Sequence, residues 1–304
     1  MHIITPASNL SADQQAIFNQ GASCLLTQQD MQIGVWLENT PEHGGTAIIA
    51  IGACLLDGEG AVDFLKECIV HIGVEHPERP IIGPMNGNTW MKHRLIIESN
   101  NRPAFLMEPM EPAFLFDIFR SAGFETLSRY SSSVIDLTEV QPSFERVEKI
   151  VAKQGINIRQ IDLKNFDHDL TQIYDLSLAA FSNNFLYTPL PKQAFMHSYV
   201  SAKDRIDSEF VLLAFQGETL IGFLFCMPDI DPSVLIVKTL ATSPDHRAAG
   251  LGTLLVAHAH QRAKDKGYSE AIHALQYESN SSLRISQRFN AVRFRTYGLM
   301  MNDD

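Results

Sequence analysis

The stretch from Val234 to Gly267 constrains the fold most, because it predicts a strand, a glycine-containing turn and a helix in direct succession. Its opening run of apolar residues, VLIV, predicts a buried strand that continues to about Thr242. A proline, Pro244, then interrupts the pattern. The following helix has apolar residues on one face, namely Leu251, Leu254, Leu255 and Ala259. Gly267 is suited to the left-handed residue that ends such a helix.

The turn between this strand and helix favours phosphate binding. The first turn of a helix carries unpaired N–H groups and the positive end of the helix macrodipole. Gly250 and Gly252 lack a Cβ and let an anion approach the backbone, and Arg247 adds a permanent positive charge. The spacing differs from the two usual phosphate loops: it lacks the Lys-Ser/Thr pair of the nucleoside-triphosphate loop, and Leu255 stands where the dinucleotide-binding loop has its third glycine.

The motif resembles the R/Q-x-x-G-x-G/A signature of the GNAT superfamily of N-acetyltransferases, with Arg247, Gly250 and Gly252 at its three defining positions. In that family the loop binds the pyrophosphate of acetyl-coenzyme A. The resemblance implies pyrophosphate contacts with the backbone N–H groups of Ala248, Ala249, Gly250, Leu251, Gly252 and Thr253. It implies thioester and pantetheine contacts with the backbone of Leu240, Ala241 and Thr242. The alternative is an ordinary strand–helix turn whose glycines serve packing.

The composition disfavours several classes of partner. The chain has 304 residues, of which 45% are hydrophobic and 19% charged, as expected for a globular protein. Lys and Arg number 24 against 35 Asp and Glu, and the net charge of −11 disfavours binding to nucleic acid or to an anionic membrane. This charge is compatible with an amine as the acceptor, on a small molecule or on a protein.

Neither the cysteines nor the N-terminal segment indicates an exported protein. The cysteines show no C-x-x-C spacing and are expected to be buried free thiols; they are Cys24, Cys54, Cys68 and Cys226. The N-terminal segment MHIITPASNL lacks the basic and apolar regions of a targeting signal, and no apolar stretch approaches 18 residues. A cytoplasmic protein is therefore expected.

The length predicts two domains of about 150 residues each, with a boundary near residue 145. Residues 1–144 also resemble a GNAT domain, because the segment from Ile118 to Phe124 is similar to the family's L-Y-x-x-x-G-F segment. Asp57 and Glu59 place carboxylates where a phosphate loop would need donors, so this half is expected to be degenerate and to bind no coenzyme. A generic α/β domain is the alternative for this half.

Residues 145–304 show the GNAT order of elements and are expected to form the catalytic domain that binds acetyl-coenzyme A. The predicted elements are a strand at 155–163, helices at 166–181 and 192–200, a hairpin at 209–227, and then strand, helix, strand, helix and strand at 234–242, 251–266, 269–277, 280–288 and 294–300. The resemblance implies an α/β (α+β) fold with two GNAT-like domains. Each is expected to be a mixed, mainly antiparallel twisted sheet flanked by helices.

The catalytic residues are less clearly indicated than the loop. GNAT proteins often use a Tyr on the last short helix to protonate the leaving thiolate, and Ser286 stands at that position. His273 is the first candidate for the general base, since an ordinary histidine pKa is suited to accepting a proton. The alternative for His273 is a hydrogen-bonded histidine of the sheet. Glu278 and Asp229 are weaker candidates.

Two polar residues have both a structural and a functional interpretation. Asn280 matches the family's coenzyme-binding Asn and is equally suited to capping the next helix. Lys238 interrupts an apolar strand; it either faces the cleft and binds an acidic part of the acceptor, or lies at a sheet surface. The remaining histidines of this region show no metal-ligand spacing, so no metal is predicted; they are His246, His258 and His260.

Two segments are candidates for the acceptor site. The loop from Phe181 to Leu190 is rich in aromatic and amide residues, which either bind a ligand or fix the loop to the core; they include Asn183, Asn184, Phe185 and Tyr187. The segment from Gly83 to Leu95 contains Trp90, His93 and Arg94 and is either a wall of this site or a plug between the domains.

These features predict an acetyl-coenzyme A-dependent N-acyltransferase that transfers an acetyl group to an amine by direct attack on the thioester. The first alternative is a non-catalytic, regulatory module that binds acyl-coenzyme A, because Ser286 replaces the expected Tyr. A pair of inactive GNAT-like domains acting as a scaffold is the second. A homodimer is compatible with the sequence.

Overall fold

The computed structural model describes residues 1–245 and 250–303. The first half has three helices, α1 Ala12–Asn19, α2 Ala61–Glu75 and α3 Phe114–Ser121. Its strands are β1 His2–Ile4, β2 Cys24–Gln28, β3 Met31–Trp36, β4 Glu42–His43, β5 Thr46–Ala47, β6 Ile49–Leu55, β7 Ile81–Gly83, β8 Leu95–Ser99 and β9 Glu125–Asp136. Of these, the sequence patterns did not predict β1, β2, β4 and β8.

The second half begins with helix α4, Glu145–Lys153, and agrees closely with the predicted elements. Its strands are β10 Ile156–Gln160, β11 Val211–Gln216, β12 Thr219–Pro228, β13 Val234–Thr242, β14 Glu270–Tyr277 and β15 Val292–Asn302. Its other α-helices are α5 Phe166–Phe181, α6 Lys192–Val200, α7 Leu251–Asp265 and α8 Ser282–Arg288. Short 3-10 turns lie at Leu163–Asn165, Lys203–Arg205 and Ser208–Phe210.

One continuous sheet of 13 strands runs through both halves, in the order β1-β2-β3-β6-β7-β15-β9-β14-β13-β12-β11-β10, with β8 also paired to β15. The parallel pairs in the described part of this sheet are β6 with β7 and β13 with β14. The predicted fold class is confirmed in this respect: the sheet is mixed, largely antiparallel and flanked by helices. The four cysteines are free thiols; Cys68 and Cys226 are buried as expected, whereas Cys24 and Cys54 are only partly buried.

The last strand of each half completes the sheet of the other half. Strand β9, which ends the first half, pairs with β14, while β15, which ends the chain, pairs with β7 and β8. The two exchanged strands also pair with each other along most of their length. The sequence correctly predicts both strands but not this exchange, since backbone donors and acceptors are the same for either partner. The domain boundary near residue 145 stays a prediction.

Helix α7 covers one face of the second half's sheet with the residues that its sequence pattern predicts. Leu251, Leu254, Leu255 and Ala259 are all buried, and they pack in one core with apolar residues of β12 and β13. Burying a leucine side chain contributes about 1.5–3 kcal/mol, so this face holds the helix firmly on the strands. The position of the α7 N-terminus relative to β13 follows from this packing.

In the first half, the opening between the two parallel strands is filled by the chain itself. Strands β6 and β7 pair only at two positions, and Met85 then returns to donate its backbone N–H to Ile51 O at 2.7 Å. The Asn86 side chain accepts a hydrogen bond from the backbone N–H of Ala53 at 2.9 Å. A Cβ on Gly52 would lie 2.3 Å from Asn86 Oδ1, so glycine is required at this contact. No comparable insertion fills the second half in the part of the chain that the structure describes.

Candidate functional site

The site begins where strands β13 and β14 diverge. They pair in parallel from Val234 opposite Glu270 to Val237 opposite His273, and the described ladder ends there. Lys238 is the extra residue of a β-bulge, because Val237 and Thr239 pair with adjacent residues of β12. Beyond the bulge, β13 remains paired with β12 on one side only. Its backbone groups on the other side therefore border the opening.

A cavity of about 610 Å³ occupies this opening and extends between the two halves of the chain. Its lining runs from Gly250 and Gly252 at the start of α7, past Lys238 on β13, to Tyr187 and to Trp90 of the first half. Tyr187 lies in the loop from Phe181 to Leu190, which is called the acceptor loop after its predicted role. The volume is in the range of small-molecule binding sites. The structure thus brings both candidate acceptor segments and part of the predicted coenzyme loop to one cavity.

At one end of the cavity, helix α7 begins at Leu251, as the sequence predicts. Gly250 caps the helix in a left-handed conformation, with φ of 89°, and its carbonyl accepts the first intrahelical hydrogen bond, from Leu254. The N–H groups before Leu254 therefore have no acceptor within the helix. A Cβ on Gly250 would lie 2.6 Å from Val147 Cγ1 of α4, so this glycine also serves packing. His246, Arg247, Ala248 and Ala249 lie outside the described residues.

Thr253 and two arginines of α8 enlarge this end of the site. Arg284 and Arg288 lie one helical turn apart and both line the cavity. Arg288 Nη1 donates to Thr253 Oγ1 at 3.2 Å, which connects α8 to the first turn of α7. Neither arginine was among the residues predicted for the site; their i, i+4 spacing on a helix directly after Asn280 is the signal that predicts them on one face.

The predicted strand residues do not all face the cavity. Leu240 and Thr242 line it, whereas Ala241 is 4% exposed and packs in the core between β13 and α5. Asn280 also lines the cavity, and its side-chain oxygen accepts from the Ser282 N–H at 3.2 Å at the start of α8. The capping interpretation of Asn280 therefore fits the geometry. Because Asn280 also lines the cavity, the geometry is compatible with a coenzyme contact as well.

His273 and Ser286 contact each other, as part of a buried hydrogen-bonded cluster. His273 Nδ1 lies 2.6 Å from Ser286 Oγ, and His273 Nε2 lies 3.1 Å from His260 Nε2. Ser286 Oγ also lies 3.0 Å from Gln276 Oε1, which can only accept a hydrogen bond from it. His273 is 3% exposed, and burial lowers its pKa to about 3. Such an imidazole is neutral and a weak base at pH 7.

One arrangement of protons satisfies most of this cluster. Ser286 donates to Gln276, His273 Nδ1–H donates to Ser286, and His260 Nε2–H donates to His273 Nε2. The remaining nitrogen, His260 Nδ1, is buried without a partner among the described residues, and burial lowers the pKa of His260 well below its ordinary value. The cluster joins α7, β14 and α8, so it fixes the position of α8 beside the cavity.

At the other end, Arg94 and Lys238 place two cations in the cavity wall. The Arg94 guanidinium stacks 3.9 Å from the centre of the Tyr130 ring, and its Nε–H donates to His93 Nε2 at 2.7 Å. His93 Nδ1 lies 2.8 Å from Met91 O, so the imidazole is neutral with its proton on Nδ1. Burial and Arg94 lower the pKa of His93 well below its ordinary value.

The acceptor loop is fixed to the first half by hydrogen bonds and ring contacts. Trp90 Nε1 donates to Thr188 O at 2.7 Å, and the Trp90 ring lies 6.4 Å from that of Tyr187. Phe185 lies edge-on to His43 of the first half, with ring centres 5.9 Å apart, and it also stacks on Tyr277 of the second half at 5.6 Å. Within Gly83–Leu95, Met85 and Asn86 fill the opening inside the first half rather than the space between the halves. The later residues line the cavity, which fits the interpretation of this segment as a cavity wall.

The cavity wall contains no carboxylate among the described residues. Of the two weaker base candidates, Glu278 lies 3.6 Å from Arg293, and Asp229 accepts from the Leu106 N–H at 2.7 Å; neither lines the cavity. Within residues 1–245 and 250–303, no group of three His, Cys, Asp or Glu residues is placed to hold a metal ion. None of the helices in these same ranges is long and apolar enough to cross a membrane.

Comparisons with known proteins relate part of this chain to a protein family and its fold to solved structures. Residues 170–289 match the family model described as the acetyltransferase (GNAT) family. A search of curated proteins found no match. Among solved structures, a GCN5-related N-acetyltransferase from Sphaerobacter thermophilus aligns with a TM-score of 0.56 at 11% identity, over 90% of this chain and 76% of that one.

Two further structures show the same fold. A tandem GNAT protein from the clavulanic acid biosynthesis pathway, solved without acetyl-coenzyme A, aligns with a TM-score of 0.50 at 10% identity, over 91% of this chain and 84% of that one. A GCN5-related glucosamine N-acetyltransferase region of a fungal multi-domain β-N-acetylglucosaminidase aligns with a TM-score of 0.56 at 12% identity, over 90% of this chain. The present chain spans 31% of that fungal protein's length.

Proposed function

We propose, from the premise that residues 170–289 match the GNAT acetyltransferase family model, that the protein transfers an acetyl group from acetyl-coenzyme A to the amine of an acceptor. The observation that carries the proposal is the single cavity that joins the start of α7, the opening between β13 and β14, and the acceptor loop. The coenzyme, held by its pyrophosphate, and the acceptor amine must share one continuous space for the thioester and the amine to come together.

The residues at the α7 end fit the coenzyme. The first-turn N–H groups of α7 have no intrahelical acceptor, and Arg284 and Arg288 add positive charge beside them. A Cβ on Gly252 would lie 3.2 Å from Ile285 Cδ1, so a larger residue would crowd this turn. The pyrophosphate is therefore assigned to residues 250–253, with Arg247, Ala248 and Ala249 proposed from the sequence, and the pantetheine arm to the β13 side with Asn280.

The coenzyme supplies an activated acyl group as a thioester; this chain's residues bind and orient the reactants. The backbone of β13 beyond the bulge, at Leu240 to Thr242, is proposed to hold the acyl end, because its groups on that side are not used by a neighbouring strand. The neutral amine nitrogen would attack the acyl carbon, the C–S bond would break, and the proton released by the new amide nitrogen would reach the leaving thiolate through solvent.

The surroundings of His273 argue against its predicted role as general base at neutral pH. A neutral imidazole with a pKa of about 3 and both nitrogens engaged is a poor acceptor of an ammonium proton. Ser286 is likewise engaged with Gln276 and His273. We infer that the amine loses its proton to solvent, and that His273 and Ser286 act by positioning α8.

The first half is proposed to bind no coenzyme. Met85 and Asn86 fill the opening between β6 and β7. The corresponding opening of the second half, between β13 and β14, contains the cavity. Asp57 and Glu59 are exposed in the loop before α2 and add negative charge there. One coenzyme molecule per chain is therefore expected.

Calorimetry with acetyl-coenzyme A tests the coenzyme assignment. Binding with a stoichiometry of one is expected, and Arg247→Glu should weaken it about 100-fold or more, since a favourable charge becomes a repulsive one. Arg120→Glu on the exposed face of α3 is the matched control and should leave the affinity unchanged. Absence of binding by the unmodified protein would refute the proposal.

A thiol-release assay with acetyl-coenzyme A and a panel of amines tests catalysis. Release that depends on an added amine supports an enzyme. Coenzyme binding without amine-dependent release from any member would instead favour the non-catalytic regulatory module, which Ser286 at the usual Tyr position also favours.

A further inference from the structure

The charges in the cavity wall are one-sided. Its described wall contains the cations Arg94, Lys238, Arg284 and Arg288 and no Asp or Glu, although the whole chain carries a net charge of −11. Arg284 and Arg288 lie at the α7 end, beside the proposed pyrophosphate. Arg94 and Lys238 lie at the other end of the cavity, where the proposed acetyl transfer places no negative charge beside them.

Arg94 is held in place by neutral groups. Its guanidinium stacks on Tyr130 and donates Nε–H to the neutral His93. Its Nη1 atom is buried and has no hydrogen-bond partner among the described residues. A buried guanidinium nitrogen without an acceptor is unfavourable, because its hydration is lost and no hydrogen bond replaces it. This group is therefore prepared for an acceptor that the described chain does not supply.

Lys238 is the second cation of this pair, and it occupies the bulge of β13. Burial and, secondly, the charge of Arg94 lower the pKa of the Lys238 ammonium. No ion pair of Lys238 with a carboxylate occurs in the described part of the protein. Two neighbouring cations in a partly buried site repel each other, and a shared anion would remove that cost.

We propose that Arg94 and Lys238 form a carboxylate-binding subsite, so that the ligand in this part of the cavity is a carboxylic acid as well as an amine or acyl donor. Two ligands could supply this carboxylate: an amino acid that serves as the acceptor, or a dicarboxylic acyl group on coenzyme A through its distal carboxylate. Arginine and lysine together bind a carboxylate through paired hydrogen bonds and charge. This inference rests on the proposed acyl transfer.

Binding in the absence of coenzyme is the first test. In a Trp36→Phe background, Trp90 is the only tryptophan, and it lines the cavity. Its fluorescence is titrated with N-acetyl-leucine and with N-acetyl-leucinamide, which differ only in the carboxylate. A Kd about tenfold lower for the acid is expected, as a charged hydrogen bond provides about 1.5–3 kcal/mol.

The second test compares transfer rates from acetyl-coenzyme A to amino acids and to their amides, and from acetyl- and succinyl-coenzyme A to the amides. An acceptor carboxylate predicts about tenfold higher kcat/KM for the acids. An acyl carboxylate predicts a similar preference for the succinyl donor. Lys238→Met and Arg94→Gln should remove the preference that is observed, with thermal melts checking their folding, whereas the exposed Lys164→Met should retain it.

The outcomes separate this inference from the proposed function. If acid and amide bind alike and neither carboxylate preference is seen, while acetyl-coenzyme A still binds, the subsite is refuted alone. If the fluorescence titration shows the acid preference but acetyl-coenzyme A does not bind, the subsite stands and the acyl-transfer proposal fails.

Discussion

Trp90 of the first half donates its indole N–H to the carbonyl oxygen of Thr188 in the second half, at 2.7 Å. This hydrogen bond joins the segment that fills the first-half opening to the loop that encloses the second-half cavity. Trp90→Phe is expected to raise the acceptor KM about fivefold by loosening this loop, with an unchanged Kd for acetyl-coenzyme A.

Trp36→Phe is the control for that substitution. Its indole N–H also donates to a backbone carbonyl, that of Gln20 at 3.1 Å, but within the first half. It should lower the free energy of unfolding and leave the acceptor KM unchanged. Equal KM effects of the two substitutions would contradict a local role of Trp90.

Tyr187 and Tyr174 provide a pair of hydroxyl groups with opposite surroundings. The Tyr187 hydroxyl is buried without a described partner and its side chain lines the cavity, whereas Tyr174 donates to Leu190 O at 3.0 Å. Tyr187→Phe should leave the unfolding free energy unchanged or raise it, and lower acceptor kcat/KM. Tyr174→Phe should cost about 1 kcal/mol of stability. Chemical denaturation and steady-state kinetics measure both, and a clear loss of stability in Tyr187→Phe would argue against its free hydroxyl.

Gly250 and Gly60 are equivalent left-handed caps of α7 and α2, with φ of 89° and 93°. Alanine at either position should cost about 1–2 kcal/mol through backbone strain, and Gly250→Ala more because of Val147. Only Gly250→Ala is expected to weaken acetyl-coenzyme A binding, by about tenfold or more. Calorimetry on both variants checks this, and weakened binding by Gly60→Ala would place the coenzyme in the first half.

The buried histidines predict that stability falls in acid. His260 and His273 have folded-state pKa values below the ordinary 6.5, so the unfolded chain binds protons first as the pH drops. The contribution of both groups is intact above about pH 6.5 and decreases below it, by up to about 1.4 kcal/mol per pH unit for each group. For His273 this loss continues down to about pH 3. Urea unfolding of His260→Leu at pH 7 and pH 5 should show a smaller pH dependence than the unmodified protein. The exposed His197→Leu should not.

The exchange of β9 and β15 predicts that neither half folds by itself. Residues 1–144 lack the strand that pairs with β7 and β8, and residues 145–304 lack the strand that pairs with β14. Each fragment would therefore expose a sheet edge and part of its core. Circular dichroism melts should show no cooperative transition for either fragment, and co-expression should restore one. A cooperatively folded 145–304 fragment that binds acetyl-coenzyme A would contradict this.

The sequence alone determined the local features: the strand–turn–helix around Gly250, the buried face of α7 with Leu254 and Leu255, and the order of elements in the second half. These follow from periodicity and from glycine conformation, which depend on near neighbours in the chain. Only the tertiary structure decided which strands β9 and β15 pair with, the burial that weakens His273 as a base, and the placement of Arg94 and Lys238 in the wall of one cavity. Each of these depends on contacts between residues far apart in sequence. Backbone hydrogen bonds and charges do not by themselves select one distant partner over another, so the sequence could not predict these contacts.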